Sequence, residues 1–259
     1  MAKTTGVNPE FEGKRALVTG ASRGIGEATV LALAAAGVRD FLLHYHSHRE
    51  GIDALLRKLG EGVSCETVQA DLSRESGIEA FLAALRKTPR KVDLLINNAG
   101  FLVERAKLLE STPDLWDRVM NLNAKSAWFI TQAVVPGMIE RGSGVIVNLS
   151  SIAARNGGGI GAAIYAASKA SVACFTKGLA RELAPQGIRV NAVSPGTVDN
   201  HFHQVFSTKP MLDSMLASTP VGRLGDNQEV ADVIVFLCSD AARYIHGQTI
   251  EINGGMFMV

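Results

Sequence analysis

Seven short apolar runs, separated by longer stretches of helical period, constrain the fold of this chain more than any other feature. The runs are RALVT (Arg15 to Thr19), FLLHY (Phe41 to Tyr45), VSCETVQ (Val63 to Gln69), VDLLIN (Val92 to Asn97), GVIVNLS (Gly144 to Ser150), IRVNAVS (Ile188 to Ser194) and QTIEI (Gln248 to Ile252). Several are nearly continuous in hydrophobicity, as strands covered on both faces are. Helical patterns fill most of the gaps. Gly24 to Gly37 is rich in Ala and Leu, Thr112 is an N-cap before Pro113 at the first helical position, and Asp226 precedes Gln228, Glu229 and VADVIVFLC. Repeated β-α alternation predicts an α/β fold: a doubly wound, seven-stranded parallel sheet with helices on both faces and right-handed crossovers.

No linker, low-complexity tract or short repeat divides the 259 residues, which predicts one domain after an N-terminal extension over 1–12. The stretch 197–225 breaks the alternation. It carries His201, Phe202, His203 and Phe206 between the last two strands, and its position near the strand ends predicts a substrate-binding lid. With 26 Lys and Arg against 25 Asp and Glu, charge gives no reason to expect nucleic acid or an anionic membrane as partner. No apolar run approaches the length of a membrane span. Cys65, Cys174 and Cys238 are odd in number, far apart and in apolar settings, as reduced thiols of a cytoplasmic protein are.

Ligands of an open parallel sheet bind outside the carboxyl ends of its strands. After the first strand comes TGASRGIG, with Gly20, Gly24 and Gly26, and a helix follows. Glycines there permit a tight turn and close backbone approach, while the helix N-terminus offers free N–H groups to a pyrophosphate. Tyr165 and Lys169 lie four apart on a predicted helix and so share one face. An ammonium beside a phenol is expected to lower the phenol's pKa and make it a usable acid or base. Ser151, ending the preceding strand, can hydrogen-bond a substrate oxygen. At the end of the second strand, HYHSHRE places His44, His46 and His48 at alternate positions, a spacing that also fits a zinc site.

TGASRGIG, NNAG at Asn97 to Gly100, YAASK at Tyr165 to Lys169 and SPG at Ser194 to Gly196, in this order and spacing, resemble the short-chain dehydrogenase/reductase family. The similarity runs from about Gly13 to Gly255. It implies a Rossmann-type fold, a nicotinamide cofactor, a small-molecule carbonyl or alcohol substrate and a homotetramer. Carried onto matching positions, Ser151 orients the carbonyl, Tyr165 transfers its proton, and Lys169 holds the nicotinamide ribose and tunes the tyrosine. The adjacent Ser150 competes for the serine role. Asn123 matches the family's helix asparagine, thought to hold a water that links lysine to solvent; the alternative is an asparagine satisfied by neighbouring backbone.

The resemblance also implies cofactor contacts from Gly20, Ser22, Arg23, Gly24, Ile25 and Gly26. It adds Asp71 and Leu72 beside the adenine, Gly100 in the loop beside the adenosine ribose, Pro195, Gly196 and Thr197 beside the nicotinamide, and Asn98, Ala99 and Val198 as further cofactor contacts, with Asn97 stabilising the central sheet. NAD-binding relatives carry an acid at the end of the second strand. Here Tyr45 takes that place, no carboxylate appears before Glu50, and Arg23 lies in the glycine loop. NADP(H) is therefore expected, with Arg23, His46 and Ser47 around the 2′-phosphate. On this reading His44 ends the strand, His48 faces solvent, and no metal is bound. The run VGRLGDNQEVADVIVFLCSDAARYIHGQTIEINGG resembles 3-oxoacyl-[acyl-carrier-protein] reductases, which points to a 3-oxoacyl thioester. Sugar and polyol dehydrogenases share the framework, and a catalytically silent NADP-binding regulator is the alternative of another class.

Overall fold

The computed structural model describes residues 11–87 and 91–258; the predicted extension over 1–12 lies outside them as far as residue 10. Each predicted strand forms, with ends moved by one or two residues: β1 (Arg15–Val18), β2 (Asp40–Tyr45), β3 (Ser64–Gln69), β4 (Leu94–Asn97), β5 (Gly144–Leu149), β6 (Ile188–Pro195) and β7 (Thr249–Ile252). They pair in the order β3-β2-β1-β4-β5-β6-β7, with every ladder parallel. The order reverses between β1 and β4, so the chain leaves their carboxyl ends in opposite directions and opens a crevice there.

Helix α1 (Gly24–Ala36) is stopped by Gly37, whose left-handed conformation turns its N–H back onto Leu33 and Ala34. Helices α2 (Arg49–Leu59) and α3 (Glu75–Lys87) follow β2 and β3. Thr112 accepts from the Leu115 N–H to start α4 (Pro113–Met120), as its sequence predicts. The helix then widens into a π-turn at Asn121–Lys125 before α5 (Ser126–Arg141). After β5 come the short α6 (Ala153–Asn156) and the long α7 (Ala163–Leu183). Helices α8 (His201–Phe206) and α9 (Lys209–Ala217) occupy the predicted lid, and Asp226 and Glu229 form a capping box at the start of α10 (Asn227–Cys238).

One hydrophobic cluster joins α1, α2 and α10 to one face of the sheet, through Val30, Leu33, Ile52 and Ile234. A second joins α3, α5 and α7 to the other, through Phe81, Ile130 and Leu183. The central strands are buried on both sides, which accounts for their unbroken apolar sequence. Buried amides of the central strands bond across the sheet. The Asn97 amide donates to Thr131 Oγ1 at 3.0 Å and to Asn148 Oδ1 at 2.8 Å, and Asn148 donates to Thr176 Oγ1 at 2.9 Å. This ladder ties β4 and β5 to α5 and α7, and so holds the strand ends that carry the crevice. Among the described residues, no helix is long and apolar enough to cross a membrane.

Candidate active site

A cavity of about 770 Å³ runs along the carboxyl ends of the strands. At one end lies the glycine turn. Gly20 and Gly24 have φ of +67° and +60°, values that L side chains rarely adopt. A Cβ on Gly26 would lie 2.2 Å from Gly20 O and 2.5 Å from Asn98 Nδ2, so only glycine lets the turn close on β4. Above Gly24 the space is open: a Cβ there would meet no atom nearer than 3.6 Å. The first turn of α1 thus presents free N–H groups to the cavity, a cradle that fits a pyrophosphate. Thr19 Oγ1 accepts from the amides of Asn98 and Ala99, and Asn98 Nδ2 donates to the carbonyls of Thr19 and Gly20. Ser22, Arg23 and Ile25 line the same wall.

The second-strand end departs from the sequence expectation. Tyr45 does not reach the cavity: it is 4% exposed, packs in the cluster beneath α1 and α2, and its hydroxyl accepts from Arg49. Successive strand residues face opposite sides of a sheet, and Tyr45 shares its side with Phe41 and Leu43. His44 takes the cavity side instead. His48, expected to face solvent, also lines the cavity and its Nδ1 lies 3.2 Å from Ser22 O. His46 and Ser47 are exposed on the rim, His46 Nε2 being 3.8 Å from Asp71 Oδ2. The three imidazoles face different partners: Gly20 and Ala70 for His44, Asp71 for His46 and Ser22 for His48. Among the described residues, no three His, Cys, Asp or Glu side chains are placed to hold a metal ion.

Asp71, with its carboxylate held by Ser73 N–H and Oγ at 3.0 and 2.7 Å, lies with Leu72 on the opposite rim. It is the one carboxylate among the described residues lining the cavity, against Arg23, Arg105, Arg118 and Lys169. The wall therefore suits an anionic ligand. Asn98, Ala99 and Gly100 form the floor, and Pro195, Gly196, Thr197 and Val198 the far end.

Ser151 and Tyr165 stand side by side there, Ser151 Oγ accepting from Ala153 N–H at 3.1 Å. Ser150 is turned elsewhere, its hydroxyl donating to Lys169 O at 3.0 Å. Lys169 is 3% exposed; its Nζ lies 5.8 Å from the centre of the Tyr165 ring and donates to Leu149 O at 2.8 Å. Here the expectation that the ammonium lowers the phenol's pKa fails for the free protein. Burial dominates both groups: it pushes Tyr165 up to about 12, against the lowering influence of Ser151, and Lys169 down to about 7. Asn123 is buried, donates to Phe101 O and Val119 O at 2.9 Å each, and accepts from Phe101 N–H. Its Oδ1 and Lys169 Nζ converge on Gly100, where a Cβ would lie 2.8 and 2.6 Å from them.

At the end beside α8 the sequence named Phe202 and Phe206 but not the loop after β4 that meets them. Phe101 packs on Phe206 at 4.6 Å between ring centres, and Phe202 lies 5.6 Å from Tyr165. Arg105 donates to Phe206 O and Ile160 O at 2.8 Å each, tying the loop after β4 to α8 and to the segment before α7. Val103 in that loop has φ of +69°, alone among described non-glycine residues, a strained conformation for a β-branched side chain.

A family model described as enoyl-(acyl carrier protein) reductase matches residues 20–257. The 3-oxoacyl-[acyl-carrier-protein] reductase FabG of Escherichia coli (strain K12) is 38% identical over 249 residues, covering 96% of this chain and 99% of that protein. FabG of Staphylococcus epidermidis is 38% identical over 246 residues, covering 95% and 99%. A crystal structure from Agrobacterium tumefaciens, provisionally a gluconate dehydrogenase, superposes with a TM-score of 0.88 at 33% identity, covering 98% of this chain and 100% of that one. A short-chain dehydrogenase/reductase from Brucella melitensis, described as glucose/ribitol dehydrogenase, gives 0.85 at 33%, covering 96% and 99%. The chain belongs to the short-chain dehydrogenase/reductase family, oxidoreductases acting on CH–OH and C=O groups, and is similar to its 3-oxoacyl-[acyl-carrier-protein] reductases.

Proposed function

We propose that the protein is an NADPH-dependent ketone reductase acting on 3-oxoacyl thioesters. The observation that carries this reading is the grouping of Ser151, Tyr165 and buried Lys169 at the end of a cavity whose glycine turn fits a dinucleotide. A nicotinamide bound in this cavity would supply the hydride for the carbonyl carbon. Ser151 and Tyr165 can both donate to the carbonyl oxygen, which fixes its orientation and stabilises the charge that develops there. A phenol pushed up to about 12 is fully protonated at neutral pH, so Tyr165 Oη serves as proton donor in the direction of reduction. Lys169 stands beside that ring and is assigned to the nicotinamide ribose as well. Asn123 orders the loop at Gly100 between them.

NADP(H) rather than NAD(H) is favoured by the rim at β2, where Arg23, His46 and Ser47 stand and no carboxylate occupies the strand end. Tyr45 drops out of that contact set. Residues 197–225 act as the lid, since Phe202 and Phe206 bring an apolar face over Tyr165. That face suits an acyl chain. A second reading, a sugar or polyol dehydrogenase, is favoured by the two solved structures named above; the aromatic wall counts against it. Exposed Trp128 on α5, packed edge-on against Phe175 of α7 at 5.6 Å, is consistent with a homotetramer, and we place the protein in the cytoplasm. With NADPH and a 3-oxoacyl thioester, Y165F is expected to lose about 1,000-fold in kcat with NADPH binding intact, and S151A more than S150A. A Y165F variant as active as wild type, or a larger loss in S150A, overturns the assignment.

A further inference from the structure

We infer that His44 is a positioning residue for the cofactor, its imidazole coupling the glycine turn after β1 to the turn after β3. The inference rests on the nucleotide reading of the cavity. Gly20 N–H donates to His44 Nδ1 at 3.1 Å, and His44 Nε2 lies 3.0 Å from Ala70 O. An amide N–H can only donate and a carbonyl can only accept, so the two partners select one tautomer: a bare Nδ1 and a protonated Nε2. Protonating the ring fully would point an N–H at the Gly20 N–H. The ring is 2% exposed and stands edge-on to Phe81 at 5.1 Å and 75°, which fixes its plane.

Both ends of this bridge bear on the cavity. Gly20 is held from two sides, its N–H by His44 from β2 and its carbonyl by Asn98 from the end of β4. Asn98 also donates to Thr19 O at 2.8 Å, so the Thr19–Gly20 peptide plane is anchored at both polar atoms, which leaves little freedom to the turn that carries Ser22 and Arg23. On the other side, Ala70 immediately precedes Asp71 and Leu72 of the opposite rim. A core histidine satisfied for packing alone would need neither a neighbouring rim nor a fixed tautomer, whereas His44 itself lines the cavity between the two. Other side chains fit this span poorly. Asparagine reaches about as far as Nδ1 and keeps an acceptor for Gly20; glutamine reaches about as far as Nε2 and serves Ala70; phenylalanine fills the space and serves neither.

The test is NADPH binding to the folded full-length protein in wild type, H44N, H44Q and H44F, with kcat and KM measured for each. H44F and H44Q are expected to raise the dissociation constant for NADPH about tenfold, with kcat at saturating NADPH within about threefold of wild type, and H44N to recover most of the affinity. A fall in kcat at unchanged affinity, or wild-type affinity in H44F, overturns the inference. Should H44F fail to fold, equal affinities in H44N and H44Q overturn it as well. Wild-type protein that binds no NADPH refutes the nucleotide reading and this inference together, whereas tight wild-type binding that every variant retains refutes this inference alone.

Discussion

The two ends of the cavity are built by different means. At the glycine turn, backbone groups are held by side chains from three strands: Thr19, His44 and Asn98 all bond to main-chain atoms within the turn or beside it. At the substrate end, α8 and α9 have no fully buried residue and are attached through aromatic contacts and the Arg105 guanidinium. The first end is a template of fixed shape, suited to a ligand common to many relatives. The second can be repacked without disturbing the sheet, which is how one fold serves acyl and sugar substrates.

The contrast predicts where substitutions do most harm. G26A drives a Cβ into Gly20 O and Asn98, neither of which can retreat without opening the turn, so NADPH affinity is expected to fall about 100-fold or more, read by titration. The buried Lys169 should act next, through stability. Its pKa of about 7 in the folded protein lies below the ordinary 10.5, so between those values the unfolded chain binds a proton that the folded one has released. Stability from this group therefore rises with pH across that window and is lost as pH falls through about 7. K169M should stabilise the nucleotide-free protein at neutral pH and below by about 1–3 kcal/mol, read from thermal or denaturant unfolding, with the gain shrinking toward pH 9, while abolishing turnover. Tyr165 opposes this trend only above its ordinary 10, outside the range measured. The smallest effect belongs to the lid. F202A should raise the KM for a 3-oxoacyl thioester about tenfold, leave NADPH binding alone, and change stability by less than about 0.5 kcal/mol, because α8 has no fully buried residue. Comparable losses in NADPH affinity from F202A and G26A would erase the distinction between the two ends.

Legibility in the sequence follows the same division. Strands, the glycine turn and the caps at Thr112 and Asp226 are local in origin, set by hydrophobic period and by residues a few positions apart, and they form as predicted. The error at β2 is one of parity. Assigning the acid-equivalent position to Tyr45 rather than its neighbour reverses the face, because a shift of one residue moves a side chain across the sheet. The apolar company of Phe41 and Leu43, four and two residues earlier, carried the signal for burying Tyr45. The roles of His44 and His48 depend on Gly20, Ala70 and Ser22, more than 20 residues away, which no local pattern reveals. The loop with Val103 and Arg105 has no period at all, and its contacts are set by the segments that close over it. The lowered phenol pKa expected of the Tyr165–Lys169 spacing failed for a further reason: spacing reports proximity, while burial decides the charge state.

The most direct measurement of the central claim is the ratio of kcat/KM for NADPH to that for NADH, with a 3-oxoacyl thioester and a ketose as alternative acceptors. A β2 rim with Arg23 and without a carboxylate predicts a ratio above about 10 and faster turnover of the thioester. Equal or better use of NADH, or ketose reduction outrunning the thioester, would contradict the account.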